Sequence, residues 1–163
     1  MLESCKNAQE RFFGVHKLID NWLLKRHELV KAYDAVQSEI HGLNPKRGPQ
    51  KEFCGVLMDY MSAGHFEIYE QLTAEANAFG DKHALVLANQ IYSRINKITE
   101  PAVDFNDRCN GKKHRPDCKD LAQAFIELGA LLRERFYLED CLIEVLHNAH
   151  EPENAPQAQA IQA

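Results

Sequence analysis

Apolar residues recur every three to four positions along four long segments, at about 15–41, 51–79, 82–100 and 117–149. This spacing gathers them on one face of an α-helix and leaves the other face polar. Glycine and proline interrupt the pattern in HGLNPKRGPQ (41–50), and Pro101 is expected to end the third helix and open a polar loop to residue 118. The pattern predicts an all-α, antiparallel four-helix bundle with a short extra N-terminal helix at residues 3–13.

A chain of 163 residues suits one domain with one core. We expect a single helical domain over residues 1–149, followed by a disordered Pro/Ala/Gln-rich tail at 150–163. No apolar run approaches the ~20 residues of a membrane span. The first residues, MLESCKNAQERFFG, lack the apolar stretch of a signal peptide. A cytoplasmic location without membrane association is therefore expected.

The five cysteines are scattered along the chain and their number is odd, which favours reduced thiols over a disulfide framework. Cys109, His114 and Cys118 place three possible metal ligands in one predicted loop. A structural zinc site usually has four ligands and often a Cys-x-x-Cys pair. We interpret the three residues as loop composition, with a zinc or redox role as the less favoured alternative, and expect no metal or cofactor.

The net charge of −5 is unevenly distributed along the chain. Residues 52–81 contain six carboxylates and no lysine or arginine, and residues 136–163 contain five carboxylates and again no lysine or arginine. Because a protein that binds the phosphate backbone needs a basic surface, direct nucleic-acid binding is not expected. Acidic helices suit a basic protein partner, or they only keep the protein in solution.

Three charged residues fall within the apolar stripes, which a plain bundle does not require. Arg26 lies between Trp22 and Leu29, and Arg135 and Glu139 lie one helical turn apart in the last helix. A buried charge without a partner is costly, so these side chains should pair or line a wet cavity. We slightly favour an ion-pair network that sets the helix register over a polar pocket open to a partner.

The helix predicted at 51–79 carries a second stripe beside its core stripe, formed by Met58, Asp59, Ser62, His65, Phe66, Tyr69 and Thr73. The core stripe already provides the apolar face by which this helix packs into the core, so Phe66 and Tyr69 are not needed for that packing. Outward aromatic side chains flanked by carboxylates are typical of a protein interface. Alternatively, the short N-terminal helix covers them.

Signatures of catalysis are absent from the sequence. There is no set of two helical Glu-x-x-His motifs of the kind that di-iron bundles use, no phosphate-binding glycine loop and no nucleophile motif. His65 lies near Glu67 and Glu70, whose charges disfavour a phosphohistidine. We predict that the protein is not an enzyme and has no catalytic residues.

Three blocks, DYMSAGHFEIYEQL (59–72), LIDNWLLKRHELV (18–30) and ERFYLEDCLIEVL (134–146), closely resemble the regulator of sigma D (Rsd/AlgQ) family of anti-sigma-70 factors. The N-terminal stretch is most similar to the AlgQ branch. The resemblance implies a helical bundle that binds region 4 of the primary, housekeeping sigma factor. Region 4 is a basic helix-turn-helix, and its occupation would block its contacts with the core-polymerase flap and the −35 promoter element.

The blocks identify the family but not which side chains touch sigma. Within them we predict six sigma-binding residues: Asp59, Ser62, His65, Phe66, Tyr69 and Glu70. We also predict six residues that shape the site beneath them: Trp22, Arg26, Arg135, Phe136, Glu139 and Asp140. We expect a monomer or weak homodimer. The rival hypotheses are a bundle that binds a metal or small ligand in a polar cavity around His65, Arg135 and Glu139, and a phosphotransfer-type signalling protein.

Overall fold

In the computed structural model, residues 8–40, 47–111 and 118–152 are described, and their long elements are all helical. The elements are α1 (Ala8–Glu39), α2 (Arg47–Ala63), a π-helical segment (Gly64–Ile68), α3 (Tyr69–Phe79), α4 (Lys82–Cys109), α5 (Cys118–Leu146) and a short 3-10 helix (Asn148–His150). Because α2, the π-helical segment and α3 follow one another without a break, the described residues form four long helical segments, which we call rods. The predicted all-α class is confirmed. None of the described helices is long and apolar enough to cross a membrane.

Four aromatic side chains, one from each rod, pack against one another in the core. Phe53 of α2 lies 5.5 Å from Phe125 of α5 and 6.0 Å from Phe105 of α4, measured between ring centroids. Tyr33 of α1 stacks on Phe125 at 4.2 Å. Burial of each large apolar side chain contributes about 1.5–3 kcal/mol, so this cluster joins all four rods strongly.

Helix α4 passes through Pro101 and ends at Cys109, so the prediction that Pro101 ends the helix and opens a loop is wrong for residues 101–109. An interior proline costs about 3 kcal/mol because it removes one backbone hydrogen bond and crowds the preceding turn. Ala102 and Phe105 are both buried in the core beyond the proline. Burial of these two side chains stabilises the helix beyond the proline. The local helix propensity does not indicate this contribution. Residues 112–117 of the predicted loop, including His114, lie outside the described residues.

The N-terminal region begins α1 instead of forming a separate helix, which corrects the prediction for residues 8–13. Only Gly14 interrupts the helix-forming residues here, and a single interior glycine costs about 1 kcal/mol. Phe12 and Val15 are buried on either side of it, and their packing offsets that cost. Residues 3–7 of the predicted extra helix lie outside the described residues.

A histidine directly after α5 holds the end of that helix against the bundle. His147 is buried, and its Nδ1 lies 2.6 Å from Oε2 of the buried Glu75 in α3. Its Nε2 lies 3.1 Å from Nδ1 of His16 in α1. These contacts join α1, α3 and the end of α5 at this point.

The tail predicted to be disordered from residue 150 begins with an ordered histidine. His150 stacks on Phe79 at 4.5 Å, and its Nε2 lies 3.1 Å from Oδ2 of Asp81, the residue that caps α4. Residues 153–163 of the predicted tail lie outside the described residues.

The π-helical segment Gly64–Ile68 brings the backbone close to Trp22. A π-helical turn inserts one extra residue into a helix, so the side chains beyond it are rotated relative to those before it. A methyl group added at Gly64 would lie 3.0 Å from Cζ2 of the Trp22 ring. A methyl group at this position would therefore require the Trp22 ring to shift by a few tenths of an ångström.

We expect Gly64→Ala to destabilise the protein by about 1–3 kcal/mol, because the added methyl group overpacks the Trp22 contact. Gly55→Ala is a matched control in α2, since no atom lies within 4 Å of a methyl group added there. That control should be neutral or stabilising by up to about 1 kcal/mol. Urea unfolding followed by circular dichroism measures both, and equal effects would contradict a steric role for Gly64.

Candidate protein-interaction site

Glu139 lies at the centre of a buried ion network with Arg26, Tyr60, Tyr69 and Arg135. Its side chain is 0% exposed. Oε1 accepts hydrogen bonds from the Tyr69 hydroxyl at 2.7 Å and from Arg135 Nε at 2.8 Å. Oε2 accepts hydrogen bonds from the Tyr60 hydroxyl and from Arg26 Nη2, the latter at 3.3 Å. Four donors therefore satisfy this buried carboxylate.

Arg135 is the cation that compensates Glu139 within the core, and it is only 1% exposed. Its Nη1 donates to Thr99 Oγ1 at 2.8 Å, and its Nη2 donates to the Tyr69 hydroxyl at 3.1 Å. Burial acts to lower the pKa of Arg135, but the Tyr69 and Glu139 side chains outweigh it and the net shift is upward. The guanidinium is thus charged, and each of its three nitrogens donates a hydrogen bond within the bundle.

Arg26 connects this network to the surface. Its Nε donates to the Tyr60 hydroxyl at 3.0 Å, and its Nη1 donates to Oδ1 of the exposed Asp140 at 2.6 Å. Its guanidinium carbon lies 5.6 Å from the Trp22 ring and 4.9 Å from the Phe136 ring. Burial acts to lower the pKa of Arg26, yet Tyr60 and Asp140 raise it overall. Ring contacts and charge pairing together fix the position of this side chain.

The two tyrosines of the network are hydrogen-bond donors. Burial raises the pKa of Tyr60 and of Tyr69, and the nearby Glu139 charge raises both further. Both phenols are therefore protonated at neutral pH. Tyr60 also stacks on Trp22 at 5.1 Å, and Trp22 Nε1 donates to the Tyr60 carbonyl at 3.3 Å.

The structure brings together all six residues predicted to shape the site: Trp22, Arg26, Arg135, Phe136, Glu139 and Asp140. They form an ion-pair network, which was the slightly favoured interpretation, and their hydrogen bonds are made within the protein. Tyr69 contacts the three residues proposed to line a polar cavity: its ring lies 6.2 Å from the His65 ring, measured between centroids, its hydroxyl donates to Glu139, and Arg135 donates to that hydroxyl. Among the described residues, no group of three or more His, Cys, Asp or Glu side chains is placed to hold a metal ion.

Above this network lies an exposed surface, which we call the acidic face, formed by Asp59, Ser62, His65, Phe66 and Glu70. Phe66 is 71% exposed, the largest value among the exposed apolar side chains of the described residues. Its ring contacts the His65 ring edge-on at 5.0 Å. The described part of α1 does not cover Phe66, and the outward position predicted for these five residues is correct.

Tyr69 is the exception among the six predicted sigma-binding residues. It is only 6% exposed, and its hydroxyl is bound to Glu139 and Arg135 within the core. The prediction that Tyr69 lies on the outward face is wrong. The π-helical segment Gly64–Ile68 ends immediately before it and rotates it toward the core, whereas the predicted stripe assumed an unbroken 3.6-residue period.

Two members of this region were not recognised as polar partners from the sequence. Tyr60 was not among the predicted site residues, although a buried tyrosine usually needs a hydrogen-bond partner, which points to a polar group nearby. Thr99 contacts Arg135 across α4 and α5, and nothing in the local pattern around Thr99 indicates that contact.

The fold and the site define an all-helical protein whose core charges are paired internally and whose acidic face carries an exposed phenylalanine. Residues 1–147 match the family described as "Regulator of RNA polymerase sigma(70) subunit, Rsd/AlgQ". A "Regulator of sigma D" from Salmonella typhi is 33% identical over 156 residues, covering 91% of this chain and 93% of the relative. A "Regulator of sigma D" from Yersinia enterocolitica serotype O:8 / biotype 1B is 31% identical over 153 residues, covering 88% and 89%.

The chain therefore belongs to the Rsd/AlgQ family of regulators of the RNA polymerase sigma(70) subunit. The resemblance drawn from the three sequence blocks is confirmed.

Proposed function

We propose that this protein is a cytoplasmic, non-enzymatic anti-sigma factor that binds region 4 of the primary sigma factor one to one. Occupation of region 4 would block its contacts with the core-polymerase flap and with the −35 promoter element. Family membership supports a role in regulating sigma(70). The single observation that carries the proposal is the exposed Phe66 on the acidic face.

Charge on the acidic face suits the partner. Asp59 and Glu70 are exposed on either side of Phe66, and residues 52–81 contain no lysine or arginine. Region 4, as the family resemblance implies, carries lysine and arginine side chains that read DNA. Carboxylates on this face would take the place of the DNA phosphates and would also speed the encounter of the two proteins.

Phe66 provides the apolar part of the proposed interface. A large aromatic side chain exposed in the free protein, and surrounded by polar residues, is the usual anchor of a protein–protein contact. The charged residues of the buried network beneath it are already paired with one another, so they are not available to bind the partner. In this proposal they support the acidic face and hold α1 and α5 in register against the π-helical segment.

Calorimetric titration with the isolated region 4 domain of the same organism's primary sigma factor, at two salt concentrations, tests the proposal. We expect roughly equimolar binding that weakens as salt rises, because exposed charges are screened. Tight binding that is insensitive to salt would retain the anti-sigma function and assign it to apolar contacts. An absence of binding at both salt concentrations would overturn the proposal.

A further inference from the structure

Three titratable side chains from three elements form a hydrogen-bonded chain that runs from the core to the surface. Glu75 of α3 and His147 are both fully buried, whereas the side chain of His16 in α1 is 51% exposed. Glu75 Oε2 lies 2.6 Å from His147 Nδ1, and His147 Nε2 lies 3.1 Å from His16 Nδ1. The other ring nitrogen of His16 lies 3.9 Å from Oδ2 of the exposed Asp20. Because these groups are in direct contact, the charge of each affects the charge of the next.

We propose that His16, His147 and Glu75 form a pH-sensitive clamp on the first turns of α1. The clamp is closed while at most one of its two imidazoles is charged, and the contact between His16 and His147 opens when both are charged. Opening would loosen residues 8–16 from the end of α5. The clamp is independent of the sigma-binding proposal, since its three residues lie outside the acidic face.

The positions of the hydrogen atoms explain why the clamp tolerates one positive charge. Each of its two short contacts needs one hydrogen atom, because two lone pairs or two N–H groups that face each other form no hydrogen bond. With both rings neutral, His16 donates to His147, and His147 donates to Glu75. With one added proton, His147 donates through both ring nitrogens, and His16 accepts at Nδ1 as the other tautomer. Both hydrogen bonds are therefore kept in either state.

The surroundings of His147 favour this first proton. Glu75 is a buried carboxylate, and its Oε1 has no hydrogen-bond partner among the described residues. A buried charge is costly unless an opposite charge compensates it, and His147 can supply that charge. The Phe12 ring stacks on the His147 ring at 4.1 Å, and an aromatic face attracts a cation. The titratable groups that face His147 are thus Glu75 from α3 and His16 from α1, and Asp20 faces His16.

A second proton disrupts the contact between the two rings. The N–H groups of His16 Nδ1 and His147 Nε2 would face each other at 3.1 Å, with two positive charges and no acceptor between them. His147 stays bound to Glu75, whereas His16 is half exposed and can turn toward water and the Asp20 carboxylate. The open state binds one more proton than the closed state, so the stability of the clamp falls as the pH falls. Histidine changes charge between about pH 5 and 8, and the second proton places opening in the lower part of this range.

A neighbouring histidine responds to acid in the opposite way, which confines the opening to α1. His150 Nδ1 lies 3.0 Å from the Leu146 carbonyl oxygen, and its Nε2 lies 3.1 Å from Asp81 Oδ2. Both partners are acceptors, so His150 makes both hydrogen bonds only when its ring is charged. The backbone N–H of Ala84 and the nearby His150 lower the pKa of Asp81, which therefore stays ionised in the same range. Acid thus holds residues 148–150 in place while it releases His16.

Nitrogen-15 NMR of the imidazole rings tests the clamp in the full chain, because the ring nitrogen shifts report protonation and tautomer. The unsubstituted protein, His16→Asn and His27→Asn are titrated over the range in which histidine changes charge, about pH 8 to 5. An asparagine amide can donate or accept near the position of His16 Nδ1 but takes up no charge. His27 is exposed on the same helix, so His27→Asn is a matched control that removes an equal titratable group.

We expect His147 to titrate in two coupled steps in the unsubstituted protein and in His27→Asn, but in one step in His16→Asn. A titration of His147 that is the same in His16→Asn as in the unsubstituted protein would overturn the proposal. Circular dichroism confirms that each variant is folded.

Amide hydrogen exchange measures the opening itself. After correction for the intrinsic pH dependence, exchange in residues 8–20 should rise on the order of tenfold between neutral pH and about pH 5, relative to the middle of α4. His16→Asn should lack this rise, so at low pH its α1 should exchange more slowly than α1 of the unsubstituted protein. A purely structural role for His16 predicts faster exchange in His16→Asn at both pH values. That result, or a rise that persists in His16→Asn, would contradict the clamp.

Discussion

Glu139→Ala is expected to lower the free energy of unfolding by about 3–5 kcal/mol, because it leaves a buried charge without its partner. Arg135 would then be almost fully buried without the carboxylate that compensates it. The hydroxyls of Tyr60 and Tyr69 would lose their acceptor as well. Urea unfolding followed by far-ultraviolet circular dichroism measures the loss, with intrinsic fluorescence of Trp22 as a second probe.

Glu134→Ala is a matched control for this substitution. Glu134 lies on the same helix and pairs with Arg94 through two hydrogen bonds of 2.6 and 2.8 Å, but both side chains are substantially exposed. Water can solvate Arg94 after the change, so a much smaller effect is expected than for Glu139→Ala. Equal losses from the two substitutions would show that burial of the network does not determine its contribution.

Phe66→Ala is expected to weaken binding to sigma region 4 by about 2 kcal/mol or more, on the order of thirtyfold in affinity. Phe66 contributes little to the core of the free protein because it is 71% exposed, so the unfolding curve should be nearly unchanged. Adding Asp59→Ala should abolish measurable binding while the helical circular-dichroism signal remains. Calorimetric titration measures the affinity of each variant, and Asp59→Ala alone should also reduce the dependence of binding on salt.

Ile126→Ala tests whether any exposed apolar residue would have the same effect. Ile126 is exposed on α5 and follows Phe125, whose ring packs on Phe53. Phe53 lies 13 residues before Phe66, a distance of about 20 Å along a helix. Since Ile126 lies beside the residue that packs on Phe53, it is about that far from Phe66. We expect wild-type affinity for Ile126→Ala. Unchanged binding in the Phe66 and Asp59 double variant would remove the acidic face from the interface.

Hydrophobic periodicity alone determined which faces of the helices enter the core. Phe53, Leu57 and Leu72 recur at helical spacing within the helix predicted at 51–79, and all three are buried. The sequence also indicated that Arg135 and Glu139 would pair, because they lie one helical turn apart within an apolar stripe. Such features depend on residues close in sequence and on the fixed period of the α-helix, so local reasoning is sufficient for them.

Tertiary contacts decided the features that local patterns predicted wrongly or did not reveal. Helix α4 continues past Pro101 because residues beyond it are buried against other helices, and Tyr69 turns inward at a π-helical segment where Trp22 approaches Gly64. The pairing of His147 with Glu75 joins residues that are 72 positions apart. In each case, packing against distant residues contributes more free energy than the local preference it overrides, and only the folded chain brings those residues together.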